Sequence, residues 1–304
     1  MFTARNKGRL ALGAVVVGVA LALSGCATGD PLDSGSGESP SSETITVGSQ
    51  AYYSNEIIAE IYSQALENAG FTVERQFQIG QRDAYLPSLE NGDVDLFPEY
   101  TGNLLQFYSP DTKATTSDDV YAELKDALPK GLTVLDQASA TDQDSYNVTK
   151  EFADANNLKS LEDLANVKTP LTLGGNAELE ERPYGPKGLL SVYGATVGFS
   201  ATGDTTVEDL LAGTVNIANV YSADPRIQTE NLVTLADPKG LFLASNVVPL
   251  VNADIADSIA DVINAVQAKL TAEGLVALNV ESTVDQKSSA DIAKKWLEDN
   301  GLLK

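Results

Sequence analysis

Eleven tyrosines and no histidine set the chemistry available to this chain. The stretch "LENGDVDLFPEYTG" (residues 89–102) closes a short apolar run with Pro98, Glu99 and Tyr100. "LLAGTVNIANVY" (residues 210–221) repeats its order and ends on Tyr221. In each copy the tyrosine stands eight residues after a glycine. Ligands of open α/β sheets sit outside the carboxyl ends of strands, so Tyr100 and Tyr221 are expected to face one cleft. "SQAYYSNE" (residues 49–56) adds Gln50, Tyr52 and Tyr53 in a strand-to-helix loop. These residues offer binding surfaces more readily than catalysis. The commonest general base and metal ligand is missing, and no carboxylate pair, nucleophile elbow or phosphate loop stands out. The expectation is a binding protein, not an enzyme, without metal or cofactor.

The elements that must position these tyrosines follow from periodicity. "TITVGS" (residues 44–49) predicts a strand. Ile57, Ile58, Ile61, Ala65, Leu66 and Ala69 at helical spacing, with Gly70 as a stop, predict the helix after it. Residues 71–77 and 93–97 read as strands, 83–91 and 101–108 as helices. The same grammar returns with a strand or crossover at 146–152, a strand at 170–175 and helices at 160–167, 185–194 and 206–213. A long amphipathic helix at 255–274 and another at 289–303 close the chain. Such alternation implies an α/β protein with parallel or mixed sheets covered on both faces. The length of 304 residues suits two structural units. Tyr62, Tyr85, Tyr108, Tyr121 and Tyr193 fall in or beside helices and read as packing residues with wet hydroxyls.

Charge and the N-terminus bound the setting. A net charge of -23 argues against a phosphate-tracking nucleic-acid binder. Arg5, Lys7 and Arg9 precede the apolar run "LALGAVVVGVALAL" (residues 10–23), too short for a membrane span and typical of an export signal. "LSGC" follows, with Cys26 the only cysteine, and resembles the lipobox of bacterial lipoproteins. That resemblance implies a signal peptide at 1–25, a lipidated Cys26 and a Ser/Gly/Pro-rich tether to residue 43. The protein is then expected on the extracytoplasmic face of the cell membrane, held by its lipid.

Five stretches carry a wider likeness: "ITVGSQAYYSNEIIAEIYSQALENAGFTV", "NGDVDLFPEYTG", "ERPYGPKGLLSVYG", "NVYSADPRI" and "LADPKGLFLASNVVPLV". In this order they resemble the substrate-binding proteins of bacterial ABC importers for glycine betaine, choline, carnitine and related osmoprotectants. The resemblance covers residues 43–304. It implies a two-lobed type II periplasmic-binding-protein fold, with two mixed sheets flanked by helices and two crossover segments, near 140–146 and 240–249. Residues 44–142 plus 247–304 would form lobe one and 143–246 lobe two. The implied partners are a small osmolyte and the permease subunits of the importer, and the implied state is a monomer.

The same resemblance implies a quaternary ammonium held among tyrosine rings. Such a cation has no N–H to donate, and each aromatic face contributes roughly 0.5 to 2 kcal/mol. The cage carries over to Tyr100, with Thr101 beside it, to Tyr52 or Tyr53, and to Tyr184. A further cage position falls on Val207, which leaves Tyr221 to compensate. Gln50, Gln81, Thr101, Arg82, Arg182 or the helix start after Tyr53 could meet a ligand carboxylate. Glu99 is expected either in solvent or near the cation. The missing aromatic at Val207 keeps a second reading open, the same fold binding an unrelated solute such as an amino acid.

Overall fold

A computed structural model describes residues 44–303, so the apolar leader, Cys26 and the tether lie outside the described residues. Ten strands form two five-stranded sheets. The first runs β2 (Thr72–Gly80), β1 (Thr44–Gln50), β3 (Leu96–Tyr100), β10 (Val247–Asn252), β4 (Leu132–Val134). The second runs β7 (Gly198–Ala201), β6 (Thr172–Gly175), β8 (Ile217–Tyr221), β5 (Asp144–Val148), β9 (Val233–Thr234). β1, β2 and β3 are parallel, as are β6, β7 and β8. β10 and β5 run antiparallel to both of their neighbours. Each is the first strand after the chain passes from one sheet to the other, so each enters reversed. The two passages lie side by side, bridged at Thr141 and Asn246.

This topology explains the sequence echo. Tyr100 ends β3 opposite Val247, where β10 begins, and Tyr221 ends β8 opposite Asp144, where β5 begins. The two tyrosines therefore occupy equivalent corners of the two sheets. Behind Tyr100, all five residues of β3 are buried. Helix α1 (Tyr53–Asn68) covers that sheet with Ile57, Ile58, Ile61 and Leu66, all essentially inaccessible. Gly102 opens α3 (Thr101–Tyr108) where a Cβ would stand 2.6 Å from the Ala244 carbonyl oxygen, so the helix starts tight against the second passage. Gly185 is equally confined, since a Cβ there would lie 2.0 Å from the Leu179 carbonyl oxygen, and it fixes the chain just after Tyr184.

Several expectations change. The helix expected at 255–274 is two helices, Ala253–Gln267 and Ala272–Thr283. Thr271 starts the second by accepting a hydrogen bond from the Gly274 amide at 3.0 Å. A helix at Ser117–Ala127 had no counterpart in the periodicity reading. The segment 185–194 is one α-turn, Pro186–Gly188, running into a π-helical turn at Leu189–Tyr193. The hydroxyls expected to be wet are partnered where they are buried: Tyr62 donates to Gln267 Oε1 at 2.9 Å and Tyr85 to Glu99 Oε1 at 2.5 Å. Among the described residues no helix is long and apolar enough to cross a membrane.

Candidate ligand cleft

Asn55, in the first turn of α1, ties the strand-to-helix loop to the end of β3. Its Oδ1 accepts from the Gln50 amide at 2.8 Å, and its Nδ2 donates to the Pro98 carbonyl at 2.8 Å and reaches the Tyr100 hydroxyl at 3.4 Å. That bracing points Tyr52 inward. Its hydroxyl is hydrogen-bonded to that of Tyr100 and lies 3.4 Å from Asp142 Oδ2. Its ring stands 5.4 Å from that of Tyr221, tilted by 35°. Tyr52 thus bridges the two tyrosines of the echo, one from each sheet. Tyr53 lies edge-on to Tyr52 at 6.3 Å, on the outer side.

The cleft has two compartments. The inner one, about 40 Å³, is lined by Gln50, Tyr52, Gln81, Tyr100, Tyr184 and Tyr221 among others. The outer one, about 800 Å³, shares Tyr52, Gln81 and Tyr221 and adds Tyr53 and Val207. Tyr52 and Tyr221 line both compartments, with Gln81, Asp142, Asn176 and Asn219, so these residues mark where the two meet. Of the tyrosines, glutamines and threonine expected to bind the ligand, Thr101 lines neither. Its hydroxyl is buried, accepting from the Asn246 amide at 3.0 Å, and it secures α3 to the second passage.

Glu99 is neither in solvent nor in the cleft. It is fully buried beneath Tyr100, where Arg82 Nε and Nη2 reach its two oxygens at 2.7 and 2.9 Å. Its Oε2 also accepts the Tyr100 amide at 2.7 Å. The pair is a base for Tyr100, and it commits Arg82 to Glu99.

Sequence reasoning missed two carboxylates and their supports. Asp144, at the start of β5, accepts from Asn103 Nδ2 at 2.6 Å and Asn219 Nδ2 at 2.9 Å. Asn103 also donates to the Tyr184 hydroxyl at 3.0 Å. Asp142, in the first passage, accepts from the Ala223 amide at 3.0 Å. Both line the inner compartment and both are buried. The available signal was their position in a chain passage, which must flank any cleft between two sheets.

Burial pushes the phenols of Tyr52, Tyr100, Tyr184 and Tyr221 up, so all four present neutral rings. Burial also pushes the Asp142 carboxyl up, to about 7, against the pull of the Ala223 amide. Asp224 and Asp144 add repulsion, and the hydroxyls of Tyr52, Tyr100 and Tyr221 face the group. An unfolded aspartate titrates near about 4. The stability contributed by Asp142 is therefore fully present below about pH 4 and lost as pH rises through about 7. Thermal melts from pH 4 to 8 should show this decline in the ligand-free protein, and Asp142→Asn should flatten it.

Residues 43–299 match the family described as the substrate binding domain of ABC-type glycine betaine transport systems. This chain belongs to that family. As a substrate-binding protein it is 27% identical over 279 residues to the glycine betaine-binding protein YehZ of Escherichia coli (strain K12), covering 86% of this chain and 92% of that one. It is 25% identical over 270 residues to the carnitine transport binding protein OpuCC of Listeria monocytogenes, covering 86% and 88%. A solved structure of a glycine betaine/carnitine/choline ABC transporter protein superposes with a TM-score of 0.69 at 20% identity, over 86% of this chain and all of that one. The substrate-binding protein therefore has the type II periplasmic-binding-protein fold, built from the two mixed sheets.

Proposed function

We propose that this protein is the extracytoplasmic receptor of an ABC importer, capturing a quaternary ammonium or zwitterionic osmoprotectant such as glycine betaine, choline or carnitine and delivering it to the permease. The observation that carries this reading is the convergence of Tyr52, Tyr100, Tyr184 and Tyr221 on one cleft from two sheets. A trimethylammonium group has no N–H to donate and gains most from the faces of such rings. Gln50 and Gln81 supply neutral polar groups beside them. The relatives named for glycine betaine and carnitine support the same ligand class.

The reading divides the body into lobe one, 44–142 plus 247–304, and lobe two, 143–246, which close on the ligand. Cys26 carries the lipid that holds a monomer to the membrane, and the cleft performs no chemistry. Titration calorimetry against glycine betaine, choline, carnitine and proline betaine is expected to give saturable binding to at least one of them. Silence across the panel, with displacement by an amino acid instead, would assign the cleft to an unrelated solute.

A further inference from the structure

A count of formal charge in the inner compartment separates two kinds of ligand. Five ionisable side chains other than tyrosine line it: Arg82, Asp142, Asp144, Glu178 and Arg182. Arg82 is neutralised by Glu99 directly behind it. Glu178 and Arg182, both half-buried, contribute one charge of each sign and cancel in the sum, although among the described residues no ion pair joins them. Asp142 and Asp144 remain. Among the described residues neither forms an ion pair with a lysine or arginine, although they are only 3% and 5% exposed.

Their partners are neutral. An asparagine amide or a backbone N–H stabilises a carboxylate without cancelling its charge, so the negative potential remains for whatever enters. Both carboxylates stand among the rings. The Tyr52 hydroxyl is 3.4 Å from Asp142, and Asn103 bridges Asp144 to the Tyr184 hydroxyl. The outer compartment leans the same way. Arg226 there is engaged by Asp224 and Glu208, and Lys287 by Glu281 and Asp285, while Glu56 and Asp204 face the opening without a cation.

We infer that Asp142 and Asp144 set the charge class of the ligand: the cleft selects a solute of net positive charge, a choline-type cation, over a zwitterion that brings its own carboxylate. The inference rests on the reading of the cleft as a quaternary-ammonium site and names which half of that class it takes. A ligand carboxylate would have to settle beside two buried carboxyl groups that no lysine or arginine pairs among the described residues, whereas a ligand cation favours the ionised form of both.

The test is calorimetry on the unaltered mature protein with choline, glycine betaine and 3,3-dimethylbutan-1-ol, the uncharged carbon isostere of choline, followed by Asp142→Asn/Asp144→Asn. Choline is expected to bind at least tenfold more tightly than either of the others, and the double variant to lose that margin over glycine betaine. Glycine betaine binding as tightly as choline would overturn the inference and leave the quaternary-ammonium reading standing. So would an undiminished choline preference in the variant. Failure of choline to bind would overturn the inference, and failure of carnitine and proline betaine as well as choline and glycine betaine would take down that reading with it. The comparison in the unaltered protein decides the matter even where the variant does not fold.

Discussion

Arg82→Ala is expected to lower the unfolding free energy by about 3–5 kcal/mol, as when one partner of a buried ion pair is removed. The geometry places this pair at the severe end. Glu99 is wholly inaccessible, and Arg82 binds it through two nitrogens at 2.7 and 2.9 Å. Without the guanidinium, only the Tyr85 hydroxyl and the Tyr100 amide would remain on that carboxylate. The loss would be a large share of the roughly 5–15 kcal/mol that holds a typical domain folded. Arg82→Met combined with Glu99→Gln is expected to recover most of it, because no unpaired charge is then left inside. Urea denaturation of the three proteins checks both statements. Because Glu99 also holds the Tyr100 amide, the single variant should bind ligand less tightly as well, and the pair is best regarded as the floor of the cleft.

Tyr52→Ala combined with Tyr221→Ala is expected to weaken binding of a quaternary ammonium by roughly 1–4 kcal/mol, or about five- to a thousandfold, from two aromatic faces. The rings touch at 5.4 Å, so their effects should not add. Removing Tyr52 alone leaves the Tyr100 hydroxyl with only the 3.4 Å contact from Asn55, and the Tyr221 ring loses its aromatic neighbour. A double-mutant cycle by calorimetry would measure that coupling. Losses that sum without coupling would mean that the two rings serve separate positions. Tyr221 is the cleaner single site, because its hydroxyl makes one 3.3 Å contact with Asn176 while Tyr100 is embedded in the core. A Tyr100 truncation would confound lost affinity with lost packing.

The parts of this protein legible in the chain are those set by local punctuation. A glycine, a short apolar strand and a tyrosine before a helix specify a strand end, whatever surrounds them, and the two copies at Tyr100 and Tyr221 do occupy matching sheet corners. The break at 267–271 was hidden because buried Leu270 continues the apolar spacing of the preceding helix. Asp142 and Asp144 were hidden for another reason. Among 43 acidic residues nothing in "ATDQDSY" distinguishes these two, since their burial comes from Ala223, Asn103 and Asn219, which are distant in sequence.

By itself the sequence determined a histidine-free, acidic α/β protein with tyrosines at two strand ends and in the first strand-to-helix loop, because composition and short-range periodicity depend only on neighbours along the chain. The tertiary structure alone decided that Tyr52 rather than Tyr53 joins the two corners, and that Thr101 and Glu99 brace the cleft from behind. It also decided that Asp142 and Asp144 stand among the rings without an ion-pair partner among the described residues. Charge balance in a cleft is a sum over residues that only folding brings within a few ångströms of one another, and no local pattern encodes that sum.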